Sequence, residues 1–240
     1  MKTEKNSGSF DPEKQEEIRA HYDEDYYKPL LEGYLNKDSF TRYRQKMVFE
    51  IYNPGTNERV LDLGCGVGTF TLELAQRGVD VVGLDYSEES INICKKLAEQ
   101  LNVQPGFQLA DVTDTKFDDD SFDVIIAADL TEHLYPDIFK MFVKESKRIL
   151  RQNGKLLIWT PNPGHIIEFF KQRDLIFKRD EGHVGYKTLN ELKEGLMAEG
   201  FKIERAYHRR SHLPVFSLVE RLTQRALPFM RRRNAVLAIK

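Results

Sequence analysis

From residue 56 onward, short apolar runs alternate with longer segments in which apolar residues recur every three or four positions. The runs have the length of buried strands, and the periodic segments have that of amphipathic helices. We therefore predict strands at 60–63, 79–84, 107–110, 122–127, 155–159, 201–207 and 234–239. The helices predicted between them cover 69–77, 87–101, 138–150, 189–198 and a basic, apolar stretch around 214–229.

This order of elements is that of repeated strand–helix–strand units, which build a parallel sheet covered by helices on both faces. Asn153 and Gly154 favour a turn before the fifth strand. Residues 161–185 carry no regular pattern.

The first part of the chain has helical character at 11–31 and 38–52, and Asn-Pro-Gly at 53–55 ends it. We predict an N-terminal helical cap over 1–55 that belongs to the same domain as the main body, residues 56–240.

The composition is that of an ordinary globular protein, with 40% hydrophobic and 31% charged residues among 240. No apolar run approaches the roughly 18 residues that span a membrane, and residues 1–8 lack the apolar core of a signal peptide. The chain has only two cysteines, which argues against a disulfide framework and a thiolate zinc site. We expect a cytoplasmic protein.

Charge is unevenly spread along the chain. Residues 201–240 carry ten basic against two acidic side chains, although the net charge of the whole chain is only −2. Such a segment is typical of a surface that meets nucleic acid or lipid headgroups. A solvated basic face is the simpler alternative.

The first predicted strand ends at Asp62 and runs into a glycine turn, in which Gly64, Gly66 and Gly68 alternate with larger residues. Glycines at this spacing let the backbone approach a nucleotide-like cofactor closely. A dinucleotide site would need its third glycine at position 69, where this chain has threonine. NAD is therefore the weaker interpretation.

Four further motifs follow the glycine turn in order. Asp85 ends the second strand, Leu-Ala-Asp-Val at 109–112 ends the third, Phe-Asp-Val-Ile-Ile-Ala-Ala-Asp at 122–129 forms the fourth, and Leu-Arg-Gln-Asn-Gly-Lys-Leu-Leu-Ile at 150–158 leads into the fifth. Together the five motifs resemble those of the class I S-adenosylmethionine-dependent methyltransferases. The resemblance implies an α/β, Rossmann-like fold with a mostly parallel seven-stranded sheet, helices on both faces and the N-terminal helical cap.

The same resemblance implies S-adenosyl-L-methionine as the cofactor. Asp85 would accept hydrogen bonds from the ribose hydroxyls, Asp111 would lie near the adenine amino group, and Arg44 would bind the methionine carboxylate. The residues implied in cofactor binding are Arg44, Asp62, Gly64, Gly66, Gly68, Asp85, Tyr86, Asp111, Val112 and Asp129.

Asp129, Glu132 and His133 follow the fourth strand at a spacing that places them on one face of a helical turn. With His183, for which His165 is a competitor, they could bind Mg²⁺ or another divalent metal. Alternatively, His133 acts as a metal-free general base, or the cluster is structural. The pattern resembles ubiquinone-biosynthesis O-methyltransferases and metal-dependent small-RNA 3′-end 2′-O-methyltransferases, both of which usually have glutamate where this chain has Asp129.

Over most of the chain the resemblance is to the ubiquinone-biosynthesis type, which implies O-methylation of a small phenol-like, quinol-like or lipid-like acceptor. One alternative is a metal-dependent RNA 3′-end 2′-O-methyltransferase, which the basic segment would suit. Another is a non-catalytic S-adenosylmethionine-binding protein. The amphipathic stretch 166–177 predicts either peripheral membrane contact or a wall of the acceptor pocket.

Overall fold

The computed structural model describes residues 22–171, 173, 175, 182–209, 229 and 231–240. Its strands are β1 Arg59–Leu63, β2 Asp80–Asp85, β3 Gly106–Leu109, β4 Phe122–Ala128, β5 Leu150–Pro161, β6 Lys202–Arg209 and β7 Arg233–Ile239. Its α-helices are α1 Glu24–Leu35, α2 Ser39–Ile51, α3 Thr71–Gln76, α4 Glu88–Leu101, α5 Pro136–Ile149, α6 Ile166–Lys171 and α7 Leu189–Ala198. A 3₁₀ turn, Thr131–His133, follows β4. No helix in these ranges has the length and apolar character needed to cross a membrane.

The seven strands form one sheet in the order β3-β2-β1-β4-β5-β7-β6. β7 runs antiparallel to both of its neighbours, and the remaining pairs are parallel. This confirms the predicted α/β fold with its mostly parallel sheet. The strand order reverses between β1 and β4, and in open α/β sheets a ligand crevice lies at such a reversal, beyond the carboxyl ends of the strands.

Alternate residues of the strands face two separate cores. Leu61 of β1 belongs to the core that α5 and α7 cover, whereas Val60 belongs to the core that α2 and α3 cover. Both residues are fully buried. Burial on both faces explains why the parallel strands read as continuous apolar runs in the sequence.

Helix α1 packs on the glycine turn. Asp23 is its N-cap and accepts a hydrogen bond from the Tyr26 amide at 3.1 Å, so α1 begins at Glu24, and it extends to Leu35. Tyr27 is buried against Val67 and Leu72. The N-terminal part of the helix predicted over 11–31 lies outside the described residues.

Other elements differ from their predictions in their bounds. β5 already begins at Leu150, and its pairing with β4 shifts register beside Asn153 and Gly154, so the predicted turn is a bulge within the strand. Helix α6 occupies part of the segment predicted to be irregular. The helix predicted around 214–229 lies, apart from Phe229, outside the described residues.

Asp62 at the end of β1 sets where α3 begins. Its carboxylate is almost fully buried and accepts hydrogen bonds from the amide and the hydroxyl of Thr71, at 3.1 and 2.7 Å. Burial raises the pKa of Asp62 to about 6, although the bonds from Thr71 lower it. Asp62 is therefore a buried support under the glycine turn.

We expect Asp62→Asn to remove a pH dependence from the stability of the protein. The folded state holds the Asp62 proton to about pH 6, whereas the unfolded chain loses it near pH 4. The wild-type free energy of unfolding should therefore fall by up to about 3 kcal/mol from this group as the pH rises through that window. Urea unfolding of both proteins between pH 4.5 and 7 measures it, and parallel curves for the two would contradict the assignment.

Candidate active site

A cavity lies at the carboxyl ends of β1, β2 and β4 and runs from the glycine turn to the 3₁₀ turn. Ten of the residues predicted from the sequence line it: Arg44, Gly64, Gly66, Asp85, Tyr86, Val112, Asp129, Glu132, His133 and His183. Asp62, Gly68 and Asp111 do not line it. Asp62 and Gly68 support the turn from behind, and Asp111 closes a turn of its own with Thr113 at 2.7 Å.

Each glycine of the turn has a positive φ, which is 71° at Gly64, 53° at Gly66 and 78° at Gly68. Glycine adopts this conformation without steric cost. A Cβ at Gly68 would meet Leu72 Cδ1 at 2.9 Å, so that glycine is needed for packing. A Cβ at Gly66 would meet nothing within 4 Å, which leaves this position open for a ligand.

Asp85 ties the end of β2 to the glycine turn. Its two carboxylate oxygens accept hydrogen bonds from the Gly66 amide at 2.9 Å and the Ser87 amide at 3.0 Å. The carboxyl is buried, and this burial raises its pKa. Asp85 is thereby held at the cavity wall with its oxygens close to the turn.

Asp129 sits between two arginines that come from opposite ends of the chain. Arg44 Nε lies 2.8 Å from Asp129 Oδ2, and Arg233 Nη1 donates to Asp129 Oδ1. Burial alone would raise the pKa of Asp129, but the charges of Arg233 and Arg44 hold it below its ordinary value. The side chain is therefore an ionised anchor at the end of β4.

This pairing changes two roles predicted from the sequence. Both oxygens of Asp129 are engaged by guanidinium groups, so the structure does not bring Asp129 into the set of metal ligands. Arg44, expected to meet the cofactor's carboxylate, already faces Asp129. Sequence reasoning missed Arg233, whose only signal is a charged residue that opens a mostly apolar and mostly buried strand.

Glu132 is 1% exposed, and its Oε2 accepts a hydrogen bond from the Thr160 hydroxyl at 2.8 Å. Burial, reinforced by the neighbouring charge of Asp129, raises the pKa of Glu132 to about 8. At neutral pH, without a bound cation, this side chain is therefore mainly an uncharged acid.

His133 follows Glu132 and is the last residue of the 3₁₀ turn. Its Nδ1 is 2.6 Å from the Tyr22 hydroxyl and 3.0 Å from the Gly182 carbonyl oxygen. A carbonyl can only accept, so we assign the ring proton to Nδ1, and the Tyr22 hydroxyl then also accepts from this N–H group. The basic lone pair of His133 is then on Nε2.

His183 faces His133, with 4.7 Å between their ring centroids. The Tyr186 hydroxyl donates to Glu168 at 2.9 Å and accepts from His183 Nδ1 at 2.7 Å, which places the lone pair of His183 on Nε2 as well. His165, the competing histidine, instead accepts from the Ile167 amide at the start of α6. The structure thus favours His183 as the partner of His133.

The cluster has the composition of a metal site. Glu132, His133 and His183 each offer one ligand atom, and the three atoms lie within 4.8 Å of one another. Two imidazoles and one carboxylate with an open further position are typical of catalytic metal sites. These three residues fit a divalent metal, which would convert Glu132 to its ionised form.

Comparison with known proteins agrees with this geometry. Residues 60–154 match a family model described as a methyltransferase domain. The chain is 36% identical over 105 residues to the ubiquinone biosynthesis O-methyltransferase of Coxiella burnetii, a match that covers 44% of each chain. It is 31% identical over 158 residues to phosphoethanolamine N-methyltransferase 3 of Arabidopsis thaliana, which covers 62% of this chain and 31% of that protein. The matches thus span less than half the length of these curated relatives.

Solved structures show the same fold. A SAM-dependent methyltransferase from Archaeoglobus fulgidus superposes with a TM-score of 0.65 at 18% identity, covering 83% of this chain and 94% of that one. At this identity the likeness establishes the fold alone. Residues 60–154 therefore carry a methyltransferase domain, and the chain around them has the fold of the S-adenosylmethionine-dependent methyltransferases.

Proposed function

We propose that this protein transfers the methyl group of S-adenosyl-L-methionine to a hydroxyl of a small acceptor. The observation that carries the proposal is one continuous cavity with the glycine turn at one end and His133 at the other. A cofactor held at the turn would direct its methyl group towards an acceptor beside this histidine. The likeness to ubiquinone biosynthesis O-methyltransferases supports oxygen as the nucleophile.

At the cofactor end, the roles of individual residues are part of the proposal. Gly64, Gly66, Asp85, Tyr86 and Val112 would contact the cofactor, since all of them line the cavity. Asp62, Gly68 and Asp111, which do not line the cavity, would support the cofactor site without contacting the cofactor. Arg44 and Asp129 would together form the wall that meets the methionine moiety.

In the transfer step, the acceptor oxygen attacks the methyl carbon in line with the departing sulfur. The sulfonium cofactor supplies an electrophilic methyl, so the protein acts chiefly by aligning the reactants. The hydroxyl must also lose its proton. His133 Nε2 is the basic atom that we propose to receive it, while Nδ1 stays hydrogen-bonded to the Gly182 carbonyl oxygen.

A divalent metal held by Glu132, His133 and His183 would give the acceptor hydroxyl another way to lose its proton. Such an ion would lower the pKa of a bound hydroxyl and orient it. In that case Tyr186 and Gly182, the partners of the two Nδ1 atoms, would fix the histidine rings. The two routes differ in their response to chelation.

A lipid-like acceptor is supported by the surface of α6, next to the cavity. Glu168 and Lys171 of this helix line the cavity, while Ile166, Phe169 and the nearby Leu175 are 38%, 44% and 47% exposed. Apolar side chains beside basic ones are typical of peripheral membrane contact. Flotation with anionic vesicles tests this contact, and Phe169→Asp should weaken it.

The RNA alternative finds little support among the described residues. Several basic side chains of 201–240 that would form its binding surface are engaged within the chain. Arg233 pairs with Asp129, Arg209 with Glu50 at 2.9 Å, and Lys240 with Asp120 at 2.7 Å.

Transfer of a labelled methyl group to a panel of catechols and hydroxyquinones, with and without EDTA, tests the proposed function. We expect methylated phenolic products. Loss of activity with EDTA would indicate that a bound divalent metal helps the acceptor hydroxyl to lose its proton. Methylation of RNA 3′ ends only would overturn the proposal. A 3′-hydroxyl RNA oligomer therefore belongs in the same panel.

We expect Gly66→Ala to weaken S-adenosylhomocysteine binding specifically. The added methyl meets no protein atom within 4 Å but would intrude on a cofactor, and such overpacking costs about 1–3 kcal/mol, or roughly 5- to 150-fold in affinity. Gly78→Ala is the matched control, since Gly78 has a φ of 77° and its Cβ would approach only Thr56, at 3.9 Å. Calorimetry should show weaker binding for the first variant alone, and equal affinities would count against the placement of the cofactor.

A further inference from the structure

Lys187 is a buried lysine outside the cavity lining. It is 6% exposed, and its ammonium group donates to three backbone carbonyls: Thr131 at 2.9 Å, Leu134 at 2.7 Å and Gly185 at 2.6 Å. An ammonium group has three hydrogens, so three acceptors satisfy it fully. Burial lowers the pKa of Lys187 to about 7, although the charges of Glu132 and Glu191 oppose that shift.

The three carbonyls belong to two segments that carry the site. Thr131 and Leu134 flank Glu132 and His133 in the 3₁₀ turn, whereas Gly185 lies two residues beyond His183. The Thr131 carbonyl also accepts from the Leu134 amide at 3.3 Å, so Lys187 gives it a second donor, and Lys187 gives the Leu134 carbonyl a donor just beyond the turn. Lys187 therefore holds the two segments together from the side away from the cavity.

The two segments also touch each other directly. The Gly185 amide donates to the Glu132 carbonyl at 2.8 Å, and His133 Nδ1 contacts the Gly182 carbonyl at 3.0 Å. The approach is so close that a Cβ at Gly185 would lie 1.8 Å from the Leu134 carbonyl oxygen. Small movements of one segment therefore change the position of one histidine against the other.

We propose that Lys187 is a positioning residue for the methyl-transfer site, which fixes His133 against His183 through the backbone of the two segments. The expected effect of Lys187 on turnover rests on the proposed function, whereas its expected effect on the two imidazole rings does not. The lysine backbone is itself anchored, because Asn234 of β7 donates to the Lys187 carbonyl at 3.0 Å. Lys187 thus connects β7 to the 3₁₀ turn through hydrogen bonds.

The test compares Lys187→Met with Lys147→Met by NMR of the ¹⁵N-labelled histidine rings. Lys147 is a matched control, since its ammonium also donates to a backbone carbonyl, that of Glu199 at 2.6 Å, at the end of α7. In the wild type and the control, we expect His133 and His183 to show the Nδ1-protonated tautomer. In Lys187→Met, we expect shifted ring signals and a mixture of tautomers.

Two further measurements distinguish a positioning role of Lys187 from a role in folding. S-adenosylhomocysteine affinity should stay within about threefold in Lys187→Met, while turnover on an accepted substrate falls by about 10- to 100-fold, as expected for a displaced reacting group. If the methionine variant does not fold, Lys187→Gln, which keeps two donors, replaces it in the same comparison. Wild-type ring signals in a folded Lys187 variant would overturn the proposal, even if no methyl acceptor were found.

Discussion

Replacing His133 by asparagine should lower turnover by roughly 10²- to 10⁴-fold, which is the range that general acid–base catalysis contributes. Asparagine can still hydrogen-bond the Gly182 carbonyl but has no basic lone pair in place of Nε2. The proposed cofactor contacts lie elsewhere in the cavity, so S-adenosylhomocysteine affinity should change by less than about threefold. Radiolabelled methyl transfer and calorimetry on the same preparation measure both quantities.

His165→Asn is the matched control for this change. His165 accepts a hydrogen bond from the Ile167 amide, and an asparagine amide oxygen can take over that bond. We expect the control to keep most of the wild-type turnover, whereas His183→Asn should lose a substantial part. A His133→Asn enzyme that retains more than about a tenth of the wild-type turnover would exclude His133 as the group that handles the proton.

Replacing Asp129 by asparagine should give a large loss of stability. It would leave Arg44 and Arg233, whose side chains are 15% and 10% exposed, without their shared carboxylate. An unpaired buried charge costs about 3–5 kcal/mol, and the 20% exposure of the Asp129 side chain towards the cavity favours the lower end. Asparagine keeps the side-chain volume and tolerates the φ of 54° at this position, so the charge is the main change.

Urea unfolding at pH 7 measures this loss, with Asp123→Asn as the control. Asp123 also pairs with an arginine, Arg151, at 2.7 Å, but the arginine side chain is 46% exposed. Exposed pairs contribute about 0–1 kcal/mol, so the control should stay close to wild type. Equal losses in the two variants would show that Asp129 is not the shared counter-ion of the two arginines.

Most of the sheet could be predicted because its strands are buried on both faces. The run that became β2 has no charged residue between Asp80 and Asp85, and its burial leaves a continuous apolar pattern. The bounds of α3 and β5 were harder to predict, because each depends on a contact from another element. Asp62 determines where α3 begins, and pairing with β4 draws residues before the bulge at Asn153 and Gly154 into β5.

The site was only partly predictable, because local motifs do not show which side chains pair across the sheet. Arg233 reaches Asp129 only because β7 runs antiparallel beside β5. The sequence pattern did not distinguish Arg42 from Arg44. In the structure, the face of α2 that carries Arg44 lines the cavity, whereas Arg42 is exposed. Tyr22 and Lys187 act on His133 from elements that carry no recognisable motif of their own.

Calorimetric titration with S-adenosylhomocysteine tests the central claim most directly, since the proposed methyl transfer depends on a cofactor at the glycine turn. We predict one binding site per chain in the wild type, with affinity reduced in Gly66→Ala and unchanged in Gly78→Ala. Absence of binding by the folded wild-type protein would contradict the account, because the cavity between the glycine turn and His133 would then have no methyl donor to hold.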